Sequence, residues 1–423
     1  GSYCSGGTGV SIDLLSSQFG VSYQLFRGTT PVGSPVAGTG IGITMGVQTV
    51  AGVYWVTATN TSTLCSATMS MSDTISINPL PTIYNVTGGG GYCIGGTGVT
   101  VGLSNSQLGL QYRLYADGVY TGLMVAGTGS AINFGLQVTG GVYTVQATNT
   151  TTGCQNNMAG SATVTINPLP TAFNVTGGGG YCTGGTGTHV GLSGSAVGYT
   201  YQLMLGSTPV GSALAGTGGA LDFGLQTMTG TYSVKGTNNV TGCNRLMSGT
   251  AVIVINPLPT AYLVFGSSTS YCAGSTGVTI YVSNTQVGVN YQLYLGGTPI
   301  GAALPGTGTS IDFGPQLTPG AYSVRALNTA TGCTNNMSGV VNVSVNPLPN
   351  VYAVIGGGNY CVGGTGVHVG LASSNTGIRY QLSNSSGPVG APVNGTGAAI
   401  DFGLQTAGGT YTVTATNAVT GCT

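Results

Sequence analysis

Residues 92–99 read YCIGGTGV, and a second cysteine follows in the sequence TGC at residues 152–154. This frame recurs along the whole chain. The Tyr-Cys pair begins at Tyr3, Tyr92, Tyr181, Tyr271 and Tyr360, and the second cysteine lies at Cys65, Cys154, Cys243, Cys333 and Cys422. The steps are 89 or 90 residues. A fixed period of this size indicates an array of structural repeats.

The period predicts five repeats, numbered here in chain order. They comprise residues 1–80, 81–169, 170–258, 259–348 and 349–423. Alignment on the cysteines predicts that repeat 1 lacks its first strand and repeat 5 its last strand, the segment equivalent to Asn335–Val345. An open sandwich exposes unpaired backbone. We therefore expect a strand from following sequence of the same chain to complete repeat 5. A strand from a neighbouring copy is the less favoured alternative.

The strand pattern is plainest in repeat 4. Apolar and polar residues alternate in the runs 278–282, 289–295, 311–313, 322–326 and 341–345. A period of two with one apolar face is typical of half-buried strands, and no stretch has a helical period. Six or seven short strands between glycine-rich turns predict an all-β fold: a tandem array of five Ig-like antiparallel β-sandwich repeats, with essentially no helix.

Two further tyrosines recur in every repeat. One lies 11 residues before the second cysteine and is expected to make the hydrogen bond of a tyrosine corner: Tyr54, Tyr143, Tyr232, Tyr322 and Tyr411. The other lies 19 residues after the first cysteine: Tyr23, Tyr112, Tyr201, Tyr291 and Tyr380. The alternation of apolar and polar residues in its strand places this side chain on the inward face. This favours a core position over a stacking platform for sugars.

The joints between repeats read Asn-Pro-Leu-Pro, beginning at Asn78, Asn167, Asn256 and Asn346. Two prolines spaced by one residue remove amide donors and fix φ, so the last strand of a repeat must end there. We expect each joint to be short and stiff, and the string of sandwiches to form a rod.

The cysteines are predicted to form disulfides because the chain has no CxxC pair and only two histidines, which excludes ordinary zinc sites. Disulfides imply an oxidising compartment outside the cytoplasm. Pairing within a repeat is favoured, since closing a loop of about 60 residues would stabilise it by roughly 4 kcal/mol. Ig-like topology favours the alternative, in which Cys93 meets Cys243 across a joint. The predicted disulfide cysteines are Cys4, Cys65, Cys93, Cys154, Cys182, Cys243, Cys272, Cys333, Cys361 and Cys422.

Charge is nearly absent. Charged residues make up 3% of the chain, against roughly 25% in ordinary soluble proteins. They are scattered singly, so a nucleic-acid partner is not expected. No apolar run is long enough for a membrane span, and no signal peptide is visible, which predicts a mature secreted segment.

A surface so poor in charge tends to associate. We therefore expect either burial in an assembly or glycans on outward Ser, Thr or Asn. The candidate glycosylation sites are Asn60, Asn85, Asn149, Asn174, Asn239, Asn336, Asn342, Asn384 and Asn394 in Asn-x-Ser/Thr triplets, and Thr74 in an Asp-Thr-Ile triplet.

No set of residues predicts catalysis or a metal site. Asp222, Asp312 and Asp401 share one repeat position with Asn133 and Thr44, which favours exposed side chains over calcium ligands. His189 and His368 have no carboxylate near them in sequence and are expected on the surface. We expect no enzymatic activity and no cofactor other than covalent glycans.

Four motifs together carry a resemblance. The runs Tyr-Cys-x-Gly-Gly-Thr-Gly-Val, Gly-Thr-Tyr-Thr-Val-x-Ala-Thr-Asn, Thr-Gly-Cys and Asn-Pro-Leu-Pro-Thr resemble the Ig-like repeats of very large Bacteroidota surface proteins, including gliding adhesins and type IX-secreted proteins. The likeness extends over all five repeats. It implies a sandwich fold, export across both membranes, and a role in adhesion or surface fibres.

These features predict a structural subunit or segment of an extracellular bacterial fibre, pilus-like filament or rod-like adhesin stalk, glycosylated and partnered by copies of itself or by its own continuation. The alternative is a carbohydrate- or host-binding adhesin whose individual repeats carry the ligand surface. Trp55 is the one residue that favours this alternative. It is expected to point outward, at the position where the other repeats have Thr144, Ser233, Ser323 and Thr412.

Overall fold

A computed structural model describes the whole chain from Gly1 to Thr423. It contains forty β-strands and no α-helix, so the all-β prediction is confirmed. With no helix of the necessary length and apolar character, the structure offers no helical membrane span.

The strands of the first two repeats follow the predicted period. Repeat 1 contains β1 Ser2–Cys4, β2 Val10–Leu14, β3 Val21–Arg27, β4 Thr30–Ala37, β5 Ile43–Gln48, β6 Gly52–Asn60 and β7 Ser66–Asn78. Repeat 2 contains β8 Val86–Gly88, β9 Gly90–Cys93, β10 Val99–Leu103, β11 Leu110–Ala116, β12 Val119–Ala126, β13 Ile132–Gln137, β14 Gly141–Asn149, β15 Gln155–Asn157 and β16 Ala162–Asn167.

Repeats 3 and 4 contain strands at positions equivalent to those of repeat 2, and repeat 5 contains equivalents of six of them. Repeat 3 contains β17 Val175–Gly177, β18 Gly179–Cys182, β19 Thr188–Leu192, β20 Tyr199–Leu205, β21 Thr208–Ala215, β22 Leu221–Gln226, β23 Gly230–Asn238, β24 Asn244–Leu246 and β25 Ala251–Asn256. Repeat 4 contains β26 Val264–Gly266, β27 Ser270–Cys272, β28 Val278–Val282, β29 Val289–Leu295, β30 Thr298–Pro305, β31 Ile311–Gln316, β32 Gly320–Asn328, β33 Thr334–Asn336 and β34 Val341–Asn346. Repeat 5 contains β35 Val354–Gly356, β36 Val367–Leu371, β37 Ile378–Asn384, β38 Gly387–Asn394, β39 Ile400–Gln405 and β40 Thr412–Asn417.

Packing divides the chain into two compact units. The first comprises Gly1–Val175, Leu192–Leu221 and Ser233–Gly249, and the second comprises Thr176–Gly191, Asp222–Tyr232 and Thr250–Thr423. Repeats 1 and 2 thus lie wholly in the first unit, repeats 4 and 5 lie wholly in the second, and repeat 3 is divided between them.

Repeat 2, in the first unit, has the two sheets of an Ig-like sandwich. One sheet has the strand order β13-β10-β8, and the other has the order β12-β11-β14-β16-β9, with β15 beside β14. Neighbouring strands are antiparallel except β9 and β16, which run parallel. Repeat 4, in the second unit, repeats this arrangement with β31-β28-β26 and β30-β29-β32-β34-β27. The predicted sandwich fold is confirmed.

The core of repeat 2 forms between the inner faces of its two sheets. Val101 and Leu103 on β10 pack in one buried cluster with Tyr112 and Leu114 on β11 and with Tyr143 on β14. All five side chains are 2% exposed or less. Alternate residues of each strand point inward, and their burial is the main stabilising contribution to a domain of this size.

Both predictions for the recurrent tyrosines are confirmed. The Tyr143 hydroxyl donates a hydrogen bond to the Thr139 carbonyl at 2.8 Å, four residues upstream, and the other four corner tyrosines make the same bond. The Tyr112 hydroxyl is fully buried and accepts a hydrogen bond from the Gln107 N–H at 2.9 Å, as in the other repeats. Burial raises the pKa of Tyr112 above its usual value.

The sequence pattern does not predict the edge strand that follows the core tyrosine strand of each repeat. In repeat 4 it is β30, whose residues include Pro299, Gly301 and Pro305. It lies at the edge of its sheet and pairs only with β29, so most of its side chains are exposed and no apolar alternation is needed. Proline is tolerated there because the free side of an edge strand needs no amide donor.

Candidate functional site: the joints between repeats

Four disulfides cross the joints between neighbouring repeats, and each is called a staple here. They are Cys4–Cys154, Cys93–Cys243, Cys182–Cys333 and Cys272–Cys422, with Cα–Cα distances of 5.5–5.6 Å. Every staple joins the first cysteine of one repeat to the second cysteine of the next. The favoured pairing within repeats is therefore wrong, and the alternative pairing across joints is the one observed.

Strand direction explains the pairing. In repeat 2, Cys93 lies opposite Asn167 at the end of β16, level with the beginning of β14. Cys154 follows the end of β14, a strand of nine residues. Nine extended residues span about 30 Å, whereas a disulfide requires Cα atoms within about 7 Å. The two cysteines of one repeat therefore lie too far apart to pair.

Two cysteines predicted to form disulfides do not. Cys65, the second cysteine of repeat 1, and Cys361, the first cysteine of repeat 5, are exposed free thiols. In the staple pattern, Cys65 pairs with the first cysteine of a repeat before repeat 1, and Cys361 pairs with the second cysteine of a repeat after repeat 5. Both positions lie outside residues 1–423.

At every Asn-Pro-Leu-Pro joint a hydrogen bond ties the joint to the preceding repeat, and at the joints 78–81 and 256–259 a second one ties it to the following repeat. The residue after the first cysteine donates its N–H to the joint asparagine carbonyl at 2.9 Å, as Ile94 does to Asn167. On the other side, the Asn156 side-chain amide donates to the Pro81 carbonyl at 2.8 Å, and Asn335 donates to Pro259 at 2.7 Å. These contacts and the staple hold the joint backbone between two folded repeats.

The turn that carries the second cysteine has its own hydrogen-bond pattern. Asn149 Oδ1 accepts from the N–H groups of Thr151 and Thr152, and the Gly153 N–H donates to the Asn149 carbonyl at 2.9 Å. Gly153 has a left-handed φ of 73°. The same side-chain bonds recur at the equivalent asparagines, Asn60, Asn238, Asn328 and Asn417. This asparagine therefore has a structural role in presenting the cysteine.

Leu64 occupies the position of Gly153 in repeat 1, with a left-handed φ of 60°. This conformation costs a residue with a Cβ roughly 1–2 kcal/mol, and Leu64 is 76% exposed, so little packing would be lost on truncation. We expect Leu64→Gly to raise the free energy of unfolding of repeat 1 by about 1 kcal/mol, measured from its denaturant midpoint. Leu64→Ala keeps the Cβ and is the control. Equal stabilisation by both variants would contradict the prediction.

The candidate glycosylation sites are mostly accessible. Seven of the asparagines are exposed, whereas Asn149 and Asn384 are half-buried. Asn60 and Asn149 are the turn asparagines described above, so the recurrence of an asparagine there is explained without a glycan. Thr74 is exposed on β7. Glycosylation at all ten positions stays a prediction.

The repeat position of Asp222 has a structural role as well. Its Oδ1 accepts a hydrogen bond from the Gly224 N–H at 2.8 Å, and the equivalent residues do the same: Asp312, Asp401, Asn133 and Thr44. Gly224 has a left-handed φ of 78°. No group of three His, Cys, Asp or Glu side chains capable of holding a metal ion is present.

Strand register adds a contact that the sequence does not reveal. His189 Nδ1 lies 2.8 Å from Asp222 Oδ2, and His368 Nδ1 lies 2.6 Å from Asp401 Oδ2. All four side chains are more than half exposed, so these surface pairs contribute little to stability. The hydrogen bonds from His189 and from the Gly224 N–H hold the pKa of Asp222 below its usual value.

We expect Asp222→Ala to destabilise the sandwich by about 0.5–1.5 kcal/mol because the Gly224 N–H loses its acceptor. Asp222→Asn is the control and should cost little, since Asn133 makes the same bond in repeat 2. The hydrogen bonds favour the ionised carboxyl, so the contribution of Asp222 is present above pH 3.8 and is lost as the pH falls through its lower folded pKa. Denaturant midpoints measured with calcium and with EDTA test whether Asp222 acts as a hydrogen-bond acceptor. A loss of stability in Asp222→Asn that appears only with calcium would contradict that role.

Trp55 is a packed residue with one face covered. Its ring stacks on Phe26 with 4.6 Å between centroids and an interplanar angle of 11°. The indole N–H donates to the Gly28 carbonyl at 2.7 Å. Its polar atom is thus already satisfied within the repeat.

Fold and joints together define the protein class: a tandem array of Ig-like β-sandwich repeats with disulfides between neighbouring repeats. No protein-family model matches the chain, and neither does any curated protein sequence.

Among solved structures, Sidekick-1 immunoglobulin domains 1–4 are similar at 12% identity and a TM-score of 0.24, covering 82% of this chain and 96% of that one. The N-terminal eight Ig domains of Down Syndrome Cell Adhesion Molecule are similar at 12% identity and a TM-score of 0.33, covering 88% and 52%. The ectodomain of mouse nectin-like molecule 4 is similar at 13% identity and a TM-score of 0.28, covering 62% and 98%. Likeness at these TM-scores carries no functional argument.

Proposed function

We propose that the chain is a structural subunit or segment of an extracellular fibre, pilus-like filament or rod-like adhesin stalk. The observation that carries the proposal is the joint. Each of the four joints has a staple across it, and hydrogen bonds tie the linker backbone to the folded repeats. Such a chain is suited to transmit tension, because neighbouring repeats are connected by two covalent links instead of one.

Composition and redox chemistry support the same proposal. Structural disulfides persist in oxidising compartments, which supports a location outside the cell or on its surface. The 3% of charged residues leaves little repulsion between copies packed side by side. The motif resemblance supports a Bacteroidota surface protein, and export by the type IX route belongs to the same proposal.

We also propose that a strand with the pattern of Met337–Val345 completes repeat 5. A cavity of about 300 Å³ in that repeat is lined by Tyr352, Leu371, Tyr380 and Val413. In repeat 4, Met337, Val341 and Val343 are buried in the corresponding core. A synthetic peptide of residues 334–346 should protect the amides of β40 from hydrogen exchange. A peptide with aspartate in place of Val341 and Val343 is the control. Equal protection by both peptides would contradict strand completion.

Glycans on the exposed hydroxyl and amide side chains would keep this nearly uncharged surface dispersed. Intact mass of the native protein tests this part of the proposal. We expect a mass above that of the polypeptide, and peptides carrying Asn85 or Asn174, which are exposed and outside the cysteine turn, are the first to examine. An intact mass equal to that of the sequence would reject glycosylation.

Electron microscopy of the natively exported protein tests the proposed function directly. We expect filaments with an axial spacing that reflects the repeats. Dispersed particles that bind a defined glycan on an array, with binding lost in Trp55→Ser, would reject the fibre in favour of a ligand-binding adhesin. The covered face and satisfied N–H of Trp55 do not favour that outcome.

A further inference from the structure

We propose that the outer face of repeat 2 binds a carboxylated sugar, with Arg113 contacting the carboxylate. The inference goes beyond the proposed fibre, because it gives one repeat a ligand of stated chemistry and does not depend on assembly. It rests on side chains of repeat 2 alone, and two of them differ in residue type from all four other repeats.

The site lies on the outer face of strands β12, β11, β14 and β15. Cross-strand pairing places its side chains in two rows. In one row, Tyr115 on β11 lies opposite Tyr120 on β12. In the other, Arg113 on β11 lies opposite Gln146 on β14, which lies opposite Asn157 on β15. The alternate residues of β11 are buried, so the two rows project from the opposite face of the sheet.

Arg113 replaces a glutamine that has a structural role in the other repeats. Each of those glutamines donates its side-chain amide to backbone carbonyls of its own hairpin: Gln24, Gln202, Gln292 and Gln381. In repeat 2 the Thr121 hydroxyl takes over one of these bonds and donates to the Leu114 carbonyl at 3.0 Å. The Arg113 side chain is therefore not needed to satisfy the backbone.

The Arg113 guanidinium has no anionic partner in the chain. Its Cζ lies 5.7 Å from the centroid of the Tyr120 ring, an attraction that leaves the N–H donors free. None of the ion pairs of the chain involves Arg113. Guanidinium presents a planar fork that matches a carboxylate with two parallel hydrogen bonds. One guanidinium balances the single charge of a carboxylate, whereas a phosphate monoester carries nearly two.

A cavity of about 320 Å³ lies beside Arg113 and is lined in part by Tyr115, Thr144, Gln146 and Asn157. The Tyr115 hydroxyl donates to Gln146 Oε1 at 3.3 Å, and Gln146 Nε2 donates to Asn157 Oδ1 at 3.2 Å. These bonds orient both amides and leave the Asn157 amide N–H groups free to donate. Sugar hydroxyls donate and accept hydrogen bonds, so they complement hydroxyl and amide groups of this kind.

The aromatic rings and the strand order favour a sugar over an acidic peptide. The Tyr115 and Tyr120 ring centroids are 5.7 Å apart, and Tyr120 is 43% exposed. A tyrosine ring combines an apolar face with a polar tip, which suits the mixed C–H and hydroxyl surface of a sugar ring. A peptide that docks on a sheet commonly adds a strand at a free edge. The strands β11 and β14 beneath the cavity are interior strands, so the site offers side chains instead of a free edge.

The test titrates the full chain, with its staples intact, against three carboxylated oligosaccharides and the methyl ester of each. The acids are trigalacturonate, a hyaluronan tetrasaccharide and sialyllactose, and ligand-observed NMR measures the dissociation constants. We expect at least one acid to bind. Its ester keeps the sugar but lacks the charge, so it should bind roughly 10–100-fold more weakly, the usual effect of a charged hydrogen bond.

Three variants locate the binding. Arg113→Gln introduces the residue of the other four repeats, so it should fold normally, weaken the acid roughly 10–100-fold and leave the ester unchanged. Tyr120→Pro should weaken acid and ester alike, and proline is again the residue of the other repeats: Pro31, Pro209, Pro299 and Pro388. Arg325→Gln is the matched control and should change neither, because the Arg325 guanidinium already donates to Thr334 Oγ1 at 2.8 Å.

Each outcome decides the proposal. It would be overturned if none of the three acids bound, if acid and ester bound equally, or if binding survived both Arg113→Gln and Tyr120→Pro. A tri-aspartate peptide that bound as tightly as the acids would replace sugar recognition by peptide recognition. Microscopy separates the site from the proposed function, because filaments without sugar binding overturn the site alone, and sugar binding without filaments overturns the fibre alone.

Discussion

The variant Cys93→Ser/Cys243→Ala is expected to lose up to about 5 kcal/mol of unfolding free energy, the value that the chain-entropy model gives for a closed loop of 150 residues. Alanine replaces Cys243 because that side chain is fully buried and a serine hydroxyl would lack a partner there. The measurement is the guanidinium midpoint of the chain under non-reducing conditions, in which repeats 2 and 3 should unfold first.

Cys65→Ala is the matched control for this experiment. It removes a second cysteine from the same type of turn, but that cysteine is exposed and has no partner in the chain. Its midpoint should equal that of the unmodified chain. If the double variant behaved like this control, the staple between repeats 2 and 3 would make no contribution to stability.

When the chain is pulled from Gly1 and Thr423, the staples should limit its maximum end-to-end length to a small value. The shortest path passes through the staples Cys4–Cys154, Cys182–Cys333 and Cys272–Cys422 and includes only about 90 residues of backbone. At about 3.5 Å per extended residue, the oxidised chain should reach about 300 Å and the reduced chain about 1,500 Å. Single-molecule force spectroscopy with and without a reductant measures both lengths.

The staple variants make this second prediction sharper. Cys93–Cys243 lies off the shortest path, so the variant that lacks it should keep the limit of about 300 Å. Pairing within repeats would behave differently, since the same variant would break both Cys93–Cys154 and Cys182–Cys243 and release 122 residues, or about 430 Å. An increase of that size in Cys93→Ser/Cys243→Ala would contradict the observed connectivity.

The sandwich could be predicted from the sequence because each strand and turn is indicated by residues that are close together in the chain. Alternation at Val278, Ile280 and Val282 indicates one buried face of a strand, and the position of Tyr322 after a glycine turn indicates the corner. Strand β30 could not be predicted in this way, since an exposed edge strand needs no apolar pattern. The short parallel strand β27 cannot be predicted from alternation either, because three residues are too few to show a period.

The joint was predictable only in part. The cysteine frame and the proline pairs identify where it lies, but the frame is the same for both pairings. The choice depends on the direction of β14 relative to β16 and on the length of β14, which are properties of the assembled sheet. Similarly, the contact between His189 and Asp222 depends on cross-strand register, and the two residues lie 33 positions apart in sequence.

The overlap of the staples has a consequence for proteolysis. Each of the first three loops closes at a cysteine that lies inside the next loop, so every peptide bond between Cys4 and Cys422 is enclosed by at least one disulfide. A protease that cuts this stretch once, even within a Pro-Leu-Pro joint, leaves a single covalent molecule until a reductant arrives. With pairing inside each repeat, a single cut in a joint would have separated the chain into two pieces. The observed pairing therefore keeps the chain covalently connected after a cleavage that would otherwise divide it.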